Sequence, residues 1–295
     1  MVVQVAESSL LPRDVSIVEM APRDGLQNEA DLIPTAAKIA LVDLISECGF
    51  ERIEVTSFVS PKWVPQLADA AEVMAGIKRR PGVRYAVLTP NMKGFEAAMA
   101  SGADEIAIFA SASERFSQHN INCSIAESIE RFKPIADASR QRAIPMRGYV
   151  SCIVECPYEG AIAPDAAAKV VEQLHALGCY EISLGDTIGR GRPEEVERML
   201  MTVLSYAPAT MLAGHFHDTD GWALDNIAVS LEHGLRVFDA SVGGLGGCPY
   251  APGAKGNVDT LAVAEFLARK GYRTGLLPAK LNAAAAFARD LGGER

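Results

Sequence analysis

The regular alternation of two kinds of segment along the whole chain constrains its fold most. Short segments rich in β-branched and apolar residues begin roughly 20 to 40 residues apart, the length of one strand plus one crossover helix. Eight such segments occur: SIVEMA from Ser16, RIEVTSF from Arg52, VRYAVLT from Val83, EIAIFAS from Glu105, MRGYVSC from Met146, YEISLGD from Tyr180, MLAGHFHD from Met211 and RVFDASV from Arg236. The pattern therefore predicts eight βα units.

Stretches with helical apolar spacing lie between these segments. A glycine, the usual left-handed cap of a helix, precedes the second, fourth, sixth and eighth segments at Gly49, Gly102, Gly178 and Gly234. An open doubly wound sheet would alternate in the same way, but it normally carries a Gly-rich phosphate turn after its first strand, and here that turn reads APRDGLQNE. We therefore predict an α/β fold, a (β/α)8 TIM barrel with its active site at the C-terminal ends of the strands.

The domain organisation is expected to be simple. The chain has 295 residues, of which 49% are hydrophobic and 22% charged, and neither a Gly/Ser-rich run nor a block of like charge marks a linker. We predict a single barrel domain over residues 1–295, with the helical segment around Ala283 to Ala286 packing on it.

Composition and charge argue against several classes of partner. The net charge of −9 offers no basic stripe for a nucleic acid, and no stretch reaches the ~20 apolar residues that a membrane span requires. The first residues lack the features of a signal or transit peptide. Six cysteines dispersed in a large chain are typical of reduced thiols. A cytoplasmic location, no nucleic-acid partner and no membrane partner are therefore expected.

Polar residues cluster where a barrel places its chemistry. Arg23 and Asp24 follow the first strand, Glu54 lies on the second, and Asp186 ends the sixth. A guanidinium fixed at this end could stabilise an enolate oxygen, although most arginines of this kind form surface ion pairs. Asp24 could equally cap a turn before Gly25. The two other carboxylates could instead be buried groups that orient their neighbours.

Two imidazoles are predicted on the seventh strand. His215 and His217 are two residues apart, so their side chains point to the same face. An HxH pair alone is weak evidence, because such residues are often only hydrogen-bonded neighbours. Barrel closure, however, brings Asp24 close to them, and an amide oxygen such as that of Asn257 would complete a mixed N/O shell. Such a shell suits Mg²⁺ or Mn²⁺.

A glycine-rich loop follows the eighth strand and carries Cys248. The loop is typical of a mobile lid, and its thiol could donate or accept a proton. An isolated cysteine is more often chemically inert, and the sequence alone leaves both interpretations open.

Seven segments in consistent order carry distinctive motifs. They are PRDGLQNE from Pro22, TSFVSPKWVPQLAD from Thr56, SASERFSQHNIN from Ser111, RGYVSC from Arg147, YEISLGDTIG from Tyr180, HFHDT from His215 and GGLGGCPYAPGAKGN from Gly243. Together these motifs resemble those of the 3-hydroxy-3-methylglutaryl-CoA lyase family, within a wider superfamily of barrel metalloenzymes that includes isopropylmalate and homocitrate synthases. The last segment is the most specific, because the condensing relatives lack that cysteine loop.

The resemblance implies a function and a set of roles. The expected reaction is cleavage of 3-hydroxy-3-methylglutaryl-CoA to acetyl-CoA and acetoacetate, as in leucine degradation, by a possible homodimer. Metal ligands would be Asp24, His215, His217 and Asn257. Arg23 would act on the thioester oxygen, Cys248 would be the mobile acid/base, and Glu54 and Asp186 would lie in or beside the site.

Three alternatives remain open at this point. A lyase for a longer branched 3-hydroxyglutaryl-CoA would use the same residues. A synthase that condenses acetyl-CoA with a keto acid would not need the Cys248 loop. The combination of Arg23 and Cys248 with the predicted metal ligands argues against the third alternative, a non-catalytic metal-binding barrel.

Overall fold

Eight parallel strands close into a barrel in a computed structural model that describes residues 14–246 and 256–291. They are β1 (Ser16–Glu19), β2 (Arg52–Ser57), β3 (Arg84–Leu88), β4 (Glu105–Ser111), β5 (Met146–Ser151), β8 (Glu181–Asp186), β9 (Leu212–Phe216) and β10 (Val237–Ala240). Their order around the barrel is β1-β10-β9-β8-β5-β4-β3-β2. Two short strands, β6 (Glu155–Cys156) and β7 (Gly160–Ala161), pair separately as a hairpin. All eight predicted strands are present, so the predicted fold class is confirmed.

Helices connect the strands. They are α1 (Thr35–Ser46), α2 (Ala70–Gly76), α3 (Met92–Ala100), α4 (Glu114–Ile121), α5 (Ile125–Arg142), α6 (Pro164–Leu177), α7 (Pro193–Val203), α8 (Ala223–Glu232), α9 (Thr260–Arg269) and α10 (Pro278–Leu291). Single turns of π-helix at Ala21–Gly25 and of 3-10 helix at Pro65–Leu67, Ala209–Met211 and Val242–Gly244 complete the described segments. None of the helices within these segments is long and apolar enough to cross a bilayer.

The apolar core lies between the barrel and the helices. Val170, Leu174 and Leu177 face inward from α6, as their spacing predicts. That helix ends at Gly178 with φ 99, and Gly49, Gly102 and Gly234 also have positive φ. The left-handed conformation predicted for these four glycines is therefore confirmed, and Gly178 caps its helix directly. Ala284, Ala285 and Ala288 of α10 are buried as well, so the small side chains of this helix pack against the protein.

The end of the seventh strand falls earlier than predicted, and this difference affects the site. β9 stops at Phe216, so His217 lies just beyond the ladder, where it forms an isolated antiparallel bridge with Asn257. The prediction that both histidines lie on the strand is therefore wrong for His217. The imidazole rings of His215 and His217 still lie side by side, as expected, with their centroids 5.3 Å apart.

Candidate active site

A cavity of about 710 Å³ opens at the C-terminal ends of the strands. Residues at the ends of β2, β5 and β8, namely Ser57, Ser151 and Gly185, line it together with His215 and His217. Phe109, Phe116 and Trp63 give it an apolar wall. This is the end at which barrel enzymes bind their substrates.

Three side chains that could hold a metal ion meet at this cavity. One ligand atom each from Asp24, His215 and His217 lies within 4.8 Å of the others. Oδ2 of Asp24 is 3.8 Å from Nε2 of His215 and 3.7 Å from Nε2 of His217. Both imidazoles are buried. The geometric prediction that the first and seventh strands bring a carboxylate and two imidazoles together is therefore confirmed, and the group is a possible metal site.

Asn257 lies beside the same carboxylate. Its amide nitrogen donates to Oδ2 of Asp24 at 2.8 Å and to the carbonyl of Leu245 at 3.3 Å. In this orientation the Asn257 side chain is a hydrogen-bond donor to Asp24 and not a metal ligand. Rotation of the amide by half a turn would exchange nitrogen for oxygen and direct a ligand atom towards the three other groups.

The turn of π-helix at Ala21–Gly25 positions Arg23 and Asp24. The amide of Gly25 donates to the carbonyl of Met20 at 3.0 Å, which closes the turn. A Cβ at Gly25 would lie 2.9 Å from both Cβ of Leu245 and Oγ of Ser241, so a larger side chain would push the turn away from the end of the barrel. Position 25 therefore requires glycine because Leu245 and Ser241 lie too close for a side chain, and not because of its backbone conformation.

The side chain of Glu19, at the end of β1, binds the start of the turn at Ala21–Gly25. Its Oε1 accepts from the amides of Ala21 and Val242, each at 2.9 Å, and its Oε2 accepts from Oγ1 of Thr260 at 2.8 Å. These bonds link the first strand to the segments that follow the last one. Burial raises the pKa of Glu19 to about 8, despite the hydrogen bonds from Val242, Ala21 and Thr260.

Arg23 is held between two carboxylates. Its Nε donates to Oε1 of Glu54 and its Nη1 to Oδ1 of Asp24. Burial disfavours its charge, but the charges of Glu54 and Asp24 outweigh burial and raise the pKa of Arg23. Burial likewise opposes ionisation of Asp24, yet Arg23 and the two imidazoles hold the pKa of this carboxyl well below its usual value. The site therefore presents a fixed cation next to an ionised ligand group.

A second set of buried residues supports these groups. Tyr149 donates its hydroxyl to Oε2 of Glu54 at 2.5 Å, and Arg147 donates to the Tyr149 oxygen at 2.8 Å. Arg147 also binds Asp239 through both terminal nitrogens, and Oδ2 of Asp239 is 3.1 Å from Nδ1 of His215. Burial opposes the charge of Asp239, but Arg147 and His215 overcome it and keep the pKa of this carboxyl far below its usual range.

Tyr149, Arg147 and Asp239 are functional residues that are not predicted from the sequence. A signal for them was present, because Arg147 and Tyr149 alternate on β5 and Asp239 interrupts the apolar β10. Polar residues at inward positions of barrel strands require partners, since a buried charge is stable only when paired. Their partners lie on other strands, up to 95 residues away for the Tyr149–Glu54 pair, so sequence could not identify them.

Asp186 lies apart from the cavity lining. It ends β8, next to Gly185, whose backbone borders the cavity, but its own Oδ2 accepts from the amide of Gly191 at 2.9 Å. Burial raises the pKa of Asp186 to about 6, against the lowering effect of that amide and of His217. The structure therefore places this carboxylate behind His217, where it orders the loop after β8.

Cys248 lies outside the described residues, so its predicted role stays a prediction. Of the remaining cysteines, Cys48, Cys123, Cys152, Cys156 and Cys179 are all free and buried. Burial raises the pKa values of the Cys48, Cys152 and Cys179 thiols, which suits a structural role for these side chains.

Known proteins are similar to this chain in sequence and in architecture. A lyase of Pseudomonas aeruginosa for 3-hydroxy-3-isohexenylglutaryl-CoA and hydroxymethylglutaryl-CoA is 56% identical, covering 90% of this chain and 89% of the relative. The crystal structure of an HMG-CoA lyase from Brucella melitensis has a TM-score of 0.95 and 65% identity, covering 96% of this chain and all of that one. An HMG-CoA lyase from Acinetobacter baumannii in complex with coenzyme A and 3-methylmalate has a TM-score of 0.90 and 38% identity, covering 95% and 92% of the two chains.

These similarities extend over the barrel and the site together. The family model described as HMGL-like matches residues 14–287, which contain every motif on which the resemblance was based. The resemblance is therefore confirmed, and the chain belongs to the HMGL-like family.

Proposed function

We propose that the protein is a carbon–carbon lyase that cleaves 3-hydroxy-3-methylglutaryl-CoA to acetyl-CoA and acetoacetate. The observation that carries the proposal is the meeting of Asp24, His215 and His217 beside Arg23 at the cavity. The names of the relatives from Brucella melitensis and Pseudomonas aeruginosa support the same substrate. The chemistry fits reactions that break down a branched amino acid such as leucine.

The possible metal site fits a divalent cation, which we propose to be Mg²⁺ or Mn²⁺. Its donors are one carboxylate and two imidazoles, with the Asn257 amide adjacent, and the set contains no thiolate, which suits a hard cation. A bound divalent cation would act as a Lewis acid and lower the pKa of the C3 hydroxyl of the substrate. Asp24, His215, His217 and Asn257 would hold it.

The protein's own groups then perform the cleavage. Of the two candidate bases, Asp24 and His215, Asp24 takes the proton of the C3 hydroxyl, because Nδ1 of His215 faces Asp239 and its Nε2 would hold the cation. The bond between C2 and C3 then breaks. The electrons of that bond leave on C2 as the enolate of acetyl-CoA, while C3 becomes the ketone of acetoacetate. Arg23 lies where it can stabilise the enolate oxygen, an effect worth a few kcal/mol for each well-placed donor. Glu54 fixes the orientation of Arg23.

A proton must finally reach C2 of the enolate, and we assign this step to Cys248. The assignment rests on the family motif and is tested directly by Cys248→Ala. Loss of a general acid normally lowers the rate by at least ~10². A Cys248→Ala enzyme that keeps its rate within about twofold would remove this residue from the mechanism.

The CoA part of the substrate requires a cationic contact at the mouth of the cavity. The side chain of Arg131, on α5, is exposed there and borders the cavity together with Asn120 and Trp63. We propose that Arg131 binds a phosphate of CoA, because its guanidinium fork matches phosphate oxygens. The coenzyme A complex of the Acinetobacter baumannii relative supports a CoA site in this family.

The decisive experiment is a direct assay. Purified protein is incubated with 3-hydroxy-3-methylglutaryl-CoA, with and without Mg²⁺ and after chelation, and acetoacetate is measured. We expect acetoacetate only when a divalent cation is present. Undiminished turnover after complete chelation would contradict the cation proposal, and absence of acetoacetate with every cation would contradict the lyase proposal.

A longer substrate is the second candidate. The Pseudomonas aeruginosa relative is named for 3-hydroxy-3-isohexenylglutaryl-CoA as well, and Phe109, Phe116 and Leu88 offer an apolar wall for a longer C3 substituent. Comparing kcat/KM for the two thioesters decides between them. Incubation with acetyl-CoA and a keto acid tests the condensing alternative.

Location and assembly remain separate proposals. Free, buried cysteines support a reducing compartment such as the cytoplasm, which cell fractionation tests. The proposed homodimer is tested by light scattering of the purified protein.

A further inference from the structure

One buried carboxylate touches a candidate metal ligand without touching the cavity. Asp239 lies on β10 directly opposite His215 on β9 and is 2% exposed. Its Oδ2 is 3.1 Å from Nδ1 of His215, and it is absent from the residues that border the cavity among those the structure describes. Asp239 therefore acts on the site through His215.

The other partners of Asp239 determine what it can offer to the imidazole. Arg147 donates Nη1 to Oδ2 at 3.1 Å and Nη2 to Oδ1 at 2.7 Å, and Ser183 donates Oγ to Oδ2 at 2.7 Å. A guanidinium can only donate, so these bonds hold Asp239 as an acceptor. The ring nitrogen facing an acceptor must carry its hydrogen. Nδ1 of His215 is therefore the donor.

The opposite ring nitrogen follows from this constraint. In a neutral imidazole one nitrogen is protonated and the other carries a lone pair. With the hydrogen on Nδ1, the lone pair is on Nε2, which is the atom 3.8 Å from Oδ2 of Asp24. Asp239 therefore favours the Nδ1-protonated tautomer of His215, whose Nε2 can bind a cation, over the Nε2-protonated tautomer, whose Nε2 cannot.

We propose that Asp239 is a positioning residue that fixes His215 as the Nδ1-protonated tautomer, so that its Nε2 faces the cation, and that Arg147 and Ser183 hold Asp239 in place for this task. The proposal deepens the proposed function, since it rests on the cation site described there. Carboxylates that bind metal-ligating histidines in this way typically change metal affinity by roughly 10- to 100-fold when they are mutated.

The first test needs neither a variant nor a cation. The ¹⁵N chemical shifts of His215 are recorded in the metal-free wild-type protein at a pH of about 8, where an ordinary imidazole is neutral, with the signal assigned by its loss in His215→Gln. We expect the shifts of an Nδ1-protonated ring. An Nε2-protonated ring would overturn the proposal, even if the lyase assay succeeds.

The second test measures cation binding by the free enzyme. Mn²⁺ titrations followed by electron paramagnetic resonance compare Asp239→Asn with Ser183→Ala, which removes a different hydrogen bond from the same carboxylate. We expect Asp239→Asn to bind Mn²⁺ roughly 10- to 100-fold more weakly. Ser183→Ala should stay within about threefold, since Arg147 still holds both oxygens of Asp239 in that variant.

The two variants also separate positioning from folding. A purely structural role would lower the melting temperature of Asp239→Asn while leaving its Mn²⁺ affinity and the His215 tautomer unchanged, and that result would overturn the proposal. If Asp239→Asn does not fold, the wild-type shifts still decide the question. Absence of Mn²⁺ binding by the wild-type enzyme would instead contradict the proposed cation site itself.

Discussion

The hydroxyl of Tyr149 lies 2.5 Å from Oε2 of Glu54, and the other oxygen of Glu54 accepts a hydrogen bond from Nε of Arg23. Tyr149 thus holds the carboxylate that orients the guanidinium. The same ring also lies beneath the Arg23 guanidinium, whose carbon is 5.6 Å from the ring centroid.

Tyr149→Phe should therefore lower kcat for 3-hydroxy-3-methylglutaryl-CoA by roughly 10-fold, the equivalent of about one hydrogen bond to a charged group. The KM should change little, because phenylalanine keeps the aromatic surface and the cavity volume. Steady-state kinetics measure both values. Equal kcat for the wild type and the variant would show that Glu54 orients Arg23 without help.

The two histidines at the cavity allow a matched comparison with a third. His217→Ala should weaken Mn²⁺ binding severely and lower kcat by at least ~10², since it removes a proposed ligand of the catalytic cation. His119→Ala is the control, because His119 also borders the cavity but stacks on Tyr158 at 4.0 Å between centroids. Mn²⁺ titration of both variants checks this. Equal affinities would contradict the assignment of His217.

A truncated substrate separates CoA binding from chemistry. Arg131→Gln should raise the KM for the CoA thioester by roughly 10-fold, as expected for the loss of one charged hydrogen bond. It should leave the KM for the N-acetylcysteamine thioester unchanged, since that ester has no phosphate. Arg142→Gln is a control on the same helix, because Arg142 pairs with Glu96 outside the cavity lining. A parallel rise in KM for both esters would argue against a phosphate contact.

The pKa of Glu19 predicts how stability depends on pH. Because burial raises this pKa to about 8, the folded protein retains a proton that the unfolded chain releases in its usual acidic range. The stability that comes from this proton is present at low pH and is lost as the pH rises towards about 8. Glu19→Gln cannot ionise and keeps acceptors for Ala21 and Val242.

The melting temperature of Glu19→Gln relative to wild type should therefore increase between about pH 5 and pH 9, by an amount that corresponds to a few kcal/mol. Thermal unfolding across this range measures it. A difference that is constant with pH would show that Glu19 is ionised in the folded protein.

The sequence predicted the parts of the fold that depend on local patterns. Strand segments and helix-capping glycines such as Gly178 follow from residue spacing and backbone preference, and both are present. The end of β9 was placed too late, because neither Phe216 nor His217 is a residue that usually ends a strand. The chain leaves the ladder at His217, which pairs instead with Asn257 from another segment.

The site could be predicted only in outline. Asp24, His215 and His217 were identified because barrel topology determines which strand ends meet. The contacts of Asp239 with His215 and of Tyr149 with Glu54 could not be predicted, because the register between strands determines which side chains meet. Asp186 was predicted as a site residue because it ends a strand. Sequence alone does not show whether such a carboxylate faces the cavity or, as here, accepts a hydrogen bond from the amide of Gly191.

The hydrogen bond between Asn257 and Asp24 joins residues 233 positions apart in the chain. During synthesis, the turn that carries Arg23 and Asp24 therefore emerges long before its partners exist. Contacts of such long range form late, because closing the intervening loop costs entropy before any contact compensates for it. A nascent chain that ends before Asn257 would hold an incomplete site, and the appearance of activity would report the completion of the whole barrel.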